Sequence, residues 1–552
     1  MSSQKLKIGI FSKSLNKLRP FEYKILEKIL NDKDVELSAL IFDGRQKNET
    51  LINRLFNLFY SKKLISRVIL RTQEIIENLI FKEKYFKTNT ELYERINLIK
   101  KIYLYPQKKG FLDIFQKKDI EKIKALNLDI IIRTEFNIIR GEILNTPRYG
   151  IWSFHHGDNR VNRGGPPCFW EIIEGHKNVG VTLQKLTSEL DGGKVIDRGS
   201  YNINWSLVVT RRRVYDSSIS LLFKNINLLK SNSIKPKDSG LYSKRLYKFP
   251  NIIYVLRYIF HFYIQLLKKV IGKLNYHFFG IKYDHWSLAF STGNFFNTPL
   301  YRLKSIKTPK NEFWADPFLV DYDGNKFIFF ENYSYKSKLG KISCGVIEND
   351  KLIDIKDVLV KSYHLSYPFI YKTENDLFMI PETSENKRLE IYKCTNFPSE
   401  WVLYSTGFVG DEIKDCNIHK DDNNELWLFM NKKKFNSDEC SDLYIYKIDS
   451  LKLNSILPHK LNPVITDSSS ARNGGSIFKY NNKVYRPSQI NIEGKYGKGL
   501  NINEILKLNL TEYEEKISDF CLPNFDKSVN GIHHLDFTED FFVIDLCKKK
   551  LI

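Results

Sequence analysis

The sequence predicts a multidomain protein with a Rossmann-like α/β domain at residues 1–205, a basic helical connector at 206–283 and an all-β domain at 284–552. Three observations predict this order. Strand-like and helix-like segments alternate in the N-terminal third, acidic residues are missing from the middle, and short strands separated by turn clusters fill the C-terminal half. A chain of 552 residues is long enough for about two to four domains.

The N-terminal alternation predicts a parallel sheet. The stretches KIGIF and VELSALIFDG have the composition of apolar strands, and FEYKILEKILND between them has the apolar spacing of a helix. A Lys-, Leu- and Phe-rich stretch at about 45–98 is interpreted as a helical insertion, after which LDIIIRT and IWSF resume the pattern. Because ligands bind beyond the carboxyl ends of parallel strands, the loop after IWSF occupies a position typical of a site.

That loop, GIWSFHHGDNRVNRGG at 150–165, concentrates histidine, arginine, aspartate and glycine. It is followed by GVT at 180–182 and LDGG at 190–193. The ordered set resembles the folate-dependent formyltransferases, which comprise methionyl-tRNA, glycinamide ribonucleotide and sugar N-formyltransferases. In that family a strand leads into Asn-x-His, an Arg-Gly turn, a Gly-Val-Thr strand and a Leu-Asp-x-Gly turn. The resemblance covers roughly residues 5–205.

The resemblance implies formyl transfer from 10-formyltetrahydrofolate to an amino sugar carried on a nucleotide or a lipid. His155 matches the family's histidine and Asp191 its aspartate, while Ser153 stands where the family has Asn. Formyl transfer needs a deprotonated amine, a polarised carbonyl and a proton for the leaving nitrogen. We therefore expect His155, Asp191 and Ser153 to be catalytic, with the first two side chains about 3–6 Å apart.

The rest of the loop is expected to contact substrate, and this group contains His156, Asp158, Arg163 and Gly164. A structural interpretation stays open for each residue. A histidine at a sheet edge can be a satisfied structural group, Arg163 can fasten the loop, and glycines can serve only as turns.

The C-terminal part has a weak internal repeat. Each copy has an apolar strand, a polar turn and a second apolar or aromatic strand, and the copies begin near Ala315, Tyr367, Cys416, Asn473 and Ile532. The spacing of about 50 residues is typical of four-stranded propeller blades. Five copies predict a five-bladed β-propeller, and a β-sandwich with similar hairpins is the alternative.

This part resembles the five-bladed propellers of carbohydrate-active proteins. Its FWADPF segment at 313–318 also resembles the N-terminal propeller part of plant glucosamine inositolphosphorylceramide transferases. The expected ligand contacts are Asp316, Glu382, Arg472, Arg486 and His533. Asp316 and Glu382 could act as the base and acid of a glycosidase, or the group could bind an anionic or hydroxyl-rich ligand without catalysis.

The net charge of +22 is unevenly distributed. No acidic residue occurs between Asp238 and Asp284, whereas lysine and arginine alternate there with aromatic and aliphatic residues. Its longest uncharged run, YIFHFYIQLL, is about half of the roughly 20 residues that span a bilayer. The segment is either a connector packed between domains or a helix lying on an anionic membrane surface.

The remaining observations bear on partners and compartment. Seven scattered cysteines without a C-x-x-C pair favour a reducing compartment and no metal site. The first residues lack the apolar core of a secretory signal, so a cytoplasmic location is expected, peripheral at the inner face of the membrane if the basic segment binds lipid. A nucleic-acid partner is disfavoured, because the large β domain replaces the small barrel of the tRNA enzymes.

The sequence therefore predicts a formyltransferase-like enzyme of surface-glycan biosynthesis whose propeller recognises carbohydrate. Two alternatives remain open. One is a non-catalytic glycan-binding scaffold, and the other is a glycosidase- or glycosyltransferase-type propeller joined to a degenerate formyltransferase domain.

Overall fold

The structure is a computed structural model that describes residues 5–45, 63–82, 90–188, 193–231, 237–238, 240–433 and 436–551. The chain divides into two compact units. The first contains Met1–Ser200 and Asn204–Phe262, and the second contains Tyr201–Ile203 and Tyr263–Ile552. We call them the α/β unit and the β unit.

A seven-stranded sheet forms the centre of the α/β unit. Its strands, in spatial order, are β11 (Lys194–Asn202), β10 (Asn178–Lys185), β8 (Ile151–His155), β6 (Ile130–Arg133), β1 (Leu6–Ser12), β2 (Val35–Asp43) and β3 (Lys101–Leu104). Two smaller sheets accompany it, made of β4 (Gln107–Lys109), β5 (Leu112–Ile114) and β7 (Ile138–Arg140), and of β9 (Arg163–Gly164) and β12 (Leu246–Tyr247).

The predicted parallel sheet is found from β8 to β3, but β10 runs antiparallel to β8. A parallel neighbour requires a crossover connection, usually a helix that carries the chain back along the sheet. Between β8 and β10 the described helix is only Phe169–Glu174, which rises about 9 Å. The chain therefore turns back beside β8 and pairs with it directly.

Apolar runs explain why the central strands are buried on both faces. Ile8, Ile10 and Phe11 of β1 are almost fully buried, as is Ile131 of β6. Gly9 allows close packing there, because a Cβ at this position would lie 2.6 Å from Cδ1 of Leu128. The core of the unit therefore lies directly behind the carboxyl ends of β6 and β8.

Seven described helices accompany these strands. They are α1 (Pro20–Leu30), α2 (Leu64–Ile80), α3 (Thr90–Asn97), α4 (Lys117–Lys124), α5 (Phe169–Glu174), α6 (Leu207–Lys230) and α7 (Ile252–Phe279). Among the helices that the structure describes, none has the length and apolar content needed to cross a membrane.

The β unit consists of five antiparallel sheets. The first contains β15 (Glu312–Tyr322), β16 (Asn325–Ser334), β17 (Leu339–Glu348) and β18 (Lys351–Leu359). The second contains β19 (Ser366–Lys372), β20 (Leu377–Glu382), β21 (Leu389–Asn396) and β22 (Glu400–Gly407). The third contains β23 (Glu412–Lys420), β24 (Leu426–Lys433), β25 (Asp442–Ile448) and β26 (Ile456–Pro458), with β27 (Ile465–Thr466) on β25.

The last two sheets complete the unit. The fourth contains β28 (Phe478–Tyr480), β29 (Lys483–Ile490), β30 (Gly499–Leu508) and β31 (Tyr513–Cys521). The fifth contains β14 (Lys304–Ser305), β13 (Ile281–Thr292), β34 (Phe541–Leu551) and β32 (Val529–Gly531), with β33 (Leu535–Phe537) on β34. The fifth sheet thus pairs the first strand of the unit with its last.

Each predicted repeat forms a β-hairpin, namely β15–β16, β19–β20, β23–β24, β28–β29 and β33–β34. The first strands of the first three hairpins share an irregularity. Their pairing shifts at Asp316, Tyr367 and Asp415, and each of these residues has a positive φ between 45° and 50°. Such bulges redirect a side chain, and they place Asp316 and Asp415 at equivalent points of their sheets.

Candidate functional site

Three polar side chains lie in register across neighbouring strands of the α/β unit. Arg133 at the end of β6 is paired with Ser153 of β8, which is paired with Gln184 of β10. The guanidinium Nη1 of Arg133 donates to Oγ of Ser153 over 3.1 Å. The preceding residues Ile132 and Trp152 are buried, so the polar row begins where these two strands leave the core.

A cavity of about 170 Å³ lies at this edge of the sheet. It is lined by Arg133, Ile138, Ile139, Ser153, Phe154, His155, Gln184, Leu186, Thr187 and Gly193. Ser153 and His155, two of the three residues predicted to be catalytic, therefore share one cavity wall at the carboxyl edge of β8.

Gln184 supplies this wall with an acceptor that no described residue uses. Its carboxamide Oε1 is buried and has no hydrogen-bond partner in the described part of the chain. A buried acceptor of this kind calls for a donor. Gly193 approaches closely, since a Cβ there would lie 3.0 Å from this oxygen. The wall therefore combines a guanidinium donor with an amide acceptor.

The loop after β8 fixes the tautomer of His155. Its Nε2 lies 2.9 Å from the carbonyl oxygen of Asn162. Since a carbonyl can only accept, Nε2 carries a proton and Nδ1 of the neutral ring holds the lone pair. Gly157 permits this approach, because a Cβ there would lie 2.9 Å from Nε2. Nδ1 is consequently the atom of His155 that can take up a proton.

Arg133 is a site residue that sequence reasoning missed. Its Nη2 donates to the carbonyl oxygens of Phe136 and Asn137, at 2.9 and 2.8 Å, which holds the guanidinium beside Ser153. A hydrogen-bond donor thus lies next to the position where the resembling family has Asn. The signal in the sequence was the charged residue at the end of the apolar strand LDIIIRT.

Asp191 lies outside the described residues, so its expected approach to His155 stays a prediction. The described residues on either side are informative, because both Thr187 and Gly193 line the cavity.

His156 is enclosed in the core and does not line the cavity. Its ring centroid lies 4.0 Å from that of Tyr215, 5.6 Å from Phe154 and 6.0 Å from Phe21. Burial, aided by the nearby charge of His155, lowers the pKa of His156 to about 3. The ring is therefore neutral at physiological pH and contributes packing.

The other loop residues predicted to contact substrate hold the loop together. Asp158 binds Arg160 at 2.6 Å, and although burial raises the pKa of Asp158, the hydrogen bonds from Arg160 lower it overall. The guanidinium of Arg163 lies 4.4 Å from the ring centroid of Tyr242. Gly164 has a φ of 98°, and a Cβ there would lie 2.0 Å from a carbonyl oxygen of β12. Only glycine is compatible with this pairing.

Charged side chains from four of the five sheets, and from the loops before β28 and β33, converge in the β unit. This charge cluster consists of Asp316, Glu331, Glu382, Lys414, Asp415, Arg472, His533 and Asp545. Four of the five ligand contacts predicted for this domain belong to it.

His533 lies between two carboxylates. Its Nε2 is 3.2 Å from Oδ1 of Asp316, and its Nδ1 is 2.7 Å from Oδ2 of Asp545. Burial lowers the pKa of His533, but the two carboxylates raise it overall to about 10. Burial raises the pKa of Asp316, yet His533 brings it down to about 2. The three ligand atoms lie within 4.8 Å of one another, a spacing suited to a metal ion, and the protonated ring already supplies a positive charge.

Arg472 joins the second and third sheets. Its Nε lies 2.5 Å from Oδ2 of Asp415, and its Nη2 lies 3.6 Å from Oε2 of Glu382. Lys414 binds the other oxygen of Glu382 at 3.1 Å. Burial raises the pKa of Glu382, but Lys414 and Arg472 lower it overall. Burial raises the pKa of Asp415 to about 7, although Arg472 opposes the change.

Glu331 and Asp545 are cluster residues that sequence reasoning missed. Burial and the charge of Asp316 raise the pKa of Glu331 well above its usual range, and His364 lies 3.4 Å from its Oε1. The cluster therefore favours the ionised form of Asp316 and the protonated form of Glu331. Their signal in the sequence was a carboxylate within or at the end of an aromatic strand, in FIFFE and FFVID.

Arg486 lies outside the charge cluster. Its side chain is fully buried, with Nη2 2.6 Å from Oε1 of Glu515 and Nη1 donating to Oδ1 of Asn473 over 3.1 Å. A separate cavity of about 460 Å³ is lined by parts of β19, β23, β28, β29 and β30 and by none of the cluster residues.

Comparison with known proteins gives two different matches. Residues 298–539 match the family model for the N-terminal part of glucosamine inositolphosphorylceramide transferase 1. The enzyme of that name from Oryza sativa subsp. japonica is 31% identical over 238 residues, which is 41% of this chain and 31% of the relative. The chain thus spans about a third of the length of that relative.

The second match is to formyltransferases. Methionyl-tRNA formyltransferase from Clostridium botulinum is 36% identical over 140 residues, which is 24% of this chain and 45% of the relative. The solved N-formyltransferase from Helicobacter canadensis, in complex with folinic acid and dTDP-3-aminofucose, is 14% identical with a TM-score of 0.29, covering 63% of this chain and 99% of that one. The resemblance indicated by the sequence motifs is confirmed: the α/β unit is similar to formyltransferases, and the β unit is similar to the N-terminal part of glucosamine inositolphosphorylceramide transferase 1.

Proposed function

We propose that the α/β unit transfers a formyl group from 10-formyltetrahydrofolate to the amine of a nucleotide- or lipid-linked amino sugar, in surface-glycan biosynthesis. One observation carries this proposal. Arg133, Ser153, His155 and Gln184 surround a single cavity at the carboxyl edge of β8, where open α/β sheets bind ligands. The similarity to methionyl-tRNA formyltransferase supports the reaction class.

The lining residues fit the chemistry of a formylated folate. The buried Oε1 of Gln184 can accept from an amide or amine N–H, and the guanidinium of Arg133 can donate to a carbonyl oxygen. When bound, the folate supplies an activated formyl group. Ile138 and Ile139 add apolar surface to the same wall.

The residues that line the cavity have different roles in acyl transfer. Arg133 and Ser153 donate toward the formyl oxygen, where negative charge develops. His155 takes a proton at Nδ1 from the attacking amine, because its Nε2 donates to the carbonyl of Asn162, and returns this proton to the folate nitrogen as the bond between that nitrogen and the formyl carbon breaks. Asp191, which follows Thr187 and precedes Gly193 in the sequence, is expected from the family resemblance to assist this proton transfer through a water. Gln184 orients the bound ligands.

The proposal is tested by incubating the full-length protein with formyl-folate and a panel of nucleotide-linked amino sugars, followed by mass measurement. We expect one acceptor to gain the mass of a formyl group. If neither these acceptors nor lipid-linked amino sugars gain a formyl group, the proposal is wrong. The result would then favour the hypothesis of a non-catalytic glycan-binding scaffold.

Substitution of the residues that line the cavity tests their roles in catalysis. Arg133→Met is expected to lower kcat by about 10²–10³, the usual cost of removing an oxyanion donor, and Arg133→Lys to restore part of it. His155→Gln is expected to lose activity at least as strongly. Arg140, exposed at the end of β7, is the matched control, and Arg140→Met should retain full kcat. Undiminished turnover in Arg133→Met would remove Arg133 from the mechanism.

We further propose that the five sheets of the β unit are the blades of a propeller that binds carbohydrate. Two features support the propeller over a sandwich. The fifth sheet pairs the first strand of the unit with the last, as ring closure requires. The charge cluster draws side chains from four of the five sheets and from the loop that leads into the fourth, as segments around one axis would provide.

An aromatic ring beside the cluster suits sugar recognition. Tyr496 is 42% exposed. Its ring centroid lies 5.0 Å from the guanidinium carbon of Arg472 and 5.2 Å from the ring centroid of His533. An exposed ring next to fixed charges can stack on a sugar while the charges bind hydroxyl or phosphate groups. The similarity to glucosamine inositolphosphorylceramide transferase 1 supports a glycan ligand.

Calorimetric titration with the acceptor sugar tests this role. Tyr496→Ala is expected to weaken binding about tenfold or more while formyl-folate binding is unchanged. Tyr301, which is 70% exposed in the same unit, is the control, and Tyr301→Ala should bind as the wild type does. Equal affinity in Tyr496→Ala would contradict sugar recognition at the cluster.

Glycosyl hydrolysis or transfer is a second candidate for the β unit. It is favoured by two carboxyl groups of one cluster whose pKa values shift in opposite directions, upward for Glu331 and downward for Asp316, the arrangement that separates an acid from a base. Release of free sugar during the titration would identify it.

A further inference from the structure

Helix α2 of the α/β unit has an inverted distribution of side chains. Its buried residues are Ser66, Leu70, Gln73, Glu74 and Glu77, four of which are polar. Its exposed large apolar residues include Ile65, Val68, Ile75 and Leu79, each at least 51% exposed. A helix on the surface of a globular unit normally presents these classes the other way round.

The buried polar side is stabilised by a carboxylate. Glu77 Oε2 accepts from Oγ of Ser206 at 2.5 Å and from the backbone N–H of Val208 at 3.1 Å. It thus lies at the N-terminus of α6, where the helix dipole favours negative charge. The hydroxyl of Tyr258 in α7 donates to the other oxygen. These contacts fix which side of α2 faces inward, and its apolar side therefore faces solvent.

Helix α7 also exposes apolar side chains. In the α/β unit it buries Val255, Tyr258 and Phe262. Ile253, Leu256 and Phe260 of the same turns are 70%, 52% and 69% exposed. Exposed apolar residues continue along the helix and include Leu267, Ile271 and Phe278. Apolar surface of this extent on a folded unit marks an interaction site.

The exposed charges of both helices have one sign. Glu74 and Glu77, the only acids of α2, are buried, while Arg67 and Arg71 are exposed. Helix α7 contains no acidic residue and exposes Arg257, Lys268, Lys269 and Lys273. A surface with apolar and basic groups and no exposed carboxylates is complementary to a lipid bilayer, which has anionic headgroups over an apolar interior.

We propose that α2 and the first turns of α7, up to Phe262 in the α/β unit, dock the protein on an anionic bilayer, lying in the plane of the interface. The apolar side chains enter the boundary between headgroups and acyl chains, and Arg67, Arg71 and Arg257 contact lipid phosphates. The acid-free composition of the segment predicts such contact for α7, and the inverted burial of α2 adds the second helix.

Co-sedimentation of the full-length protein with vesicles tests this docking. We expect binding to phosphatidylcholine vesicles with about one-third phosphatidylglycerol, no binding to pure phosphatidylcholine, and release at about 0.5 M salt. Substitution of Ile65 and Leu79 by Ser should lower the partition coefficient about tenfold or more. Substitution of Arg67, Arg71 and Arg257 by Glu should lower it about 100-fold.

The control removes apolar residues of similar exposure elsewhere. Val402 of β22 and Ile517 of β31 are 50% and 53% exposed, and their joint substitution by Ser should leave binding unchanged. Failure to bind the anionic vesicles would overturn the proposal, and unchanged binding of the Ile65 and Leu79 variant would remove α2 from it. Sedimentation of the vesicle-free protein as a dimer that this variant abolishes would identify a second copy as the occupant instead.

Discussion

At the scale of single residues, neighbouring histidines of one loop have opposite environments. His155 reaches the cavity wall with a fixed tautomer, whereas His156 is packed between Phe21 and Tyr215. Strand alternation accounts for the difference, because successive side chains point to opposite faces. The same sequence, HH, thus places one residue at the cavity wall and one in the core.

His156 should make the α/β unit sensitive to acid. Its pKa is about 3 in the folded chain and 6.5 when exposed, so between these values the unfolded chain binds a proton that the folded chain does not. The stability from the neutral ring is complete above pH 6.5 and falls by about 1.4 kcal/mol per pH unit below it. His156→Phe keeps the packing and should lose this dependence.

Urea unfolding of both proteins between pH 7.5 and 4.5 measures the effect. The advantage of His156→Phe over the wild type should grow as the pH falls. A constant difference between wild type and His156→Phe at every pH would contradict the prediction.

At the scale of elements, helix α2 shows why exposed surfaces are harder to predict than cores. Its apolar spacing predicts a helix, and the same spacing would normally place Ile65, Ile75 and Leu79 inward. The inward side is instead decided by Glu77, whose partners in α6 and α7 are more than 120 residues away. A pattern within one helix contains no information about such distant hydrogen bonds.

Other elements were predictable because local patterns determine them. The strands of the α/β sheet follow from apolar runs, and the five hairpins follow from turn clusters between aromatic strands. The motifs located Ser153 and His155 at the edge of β8. Arg133 and Gln184 were missed because their role depends on strand register, which sets them on either side of Ser153. Asp545 joins the cluster through the pairing of the distant strands β13 and β34, and Glu331 through its place opposite the bulge of the hairpin β15–β16.

At the scale of the whole molecule, each unit has its own chemistry. The α/β unit has a polar cavity at the end of a parallel sheet, and the β unit has a buried cluster to which four of its five sheets contribute. Asp545, in the last strand of the β unit, accepts from the backbone N–H groups of Asp316, His533 and His534. One carboxylate therefore fastens the fifth sheet to the first.

Removing this carboxylate should loosen the β unit alone. Asp545→Asn takes away the charge that pairs with His533 and weakens three backbone contacts, and breaking a buried pair in this way costs about 3–5 kcal/mol. Hydrogen exchange should increase in peptides of β13, β15 and β34, while peptides of β1, β6 and β8 exchange as before. Asp540, which is exposed in the turn before β34 and binds Lys326, is the control, and Asp540→Asn should leave exchange almost unchanged.

In Asp545→Asn, the stability of the β unit should also depend less on alkaline pH. Because the pKa of His533 is raised from 6.5 to about 10, its contribution to stability is complete below pH 6.5 and disappears as the pH rises through about 10. The wild-type β unit should therefore become less stable between pH 7 and 10, and Asp545→Asn should show a flatter decline because the imidazolium has lost one of its two carboxylates. Equal slopes in the two proteins, or faster exchange in the α/β unit, would show that Asp545 does not stabilise the protein through His533 within the β unit.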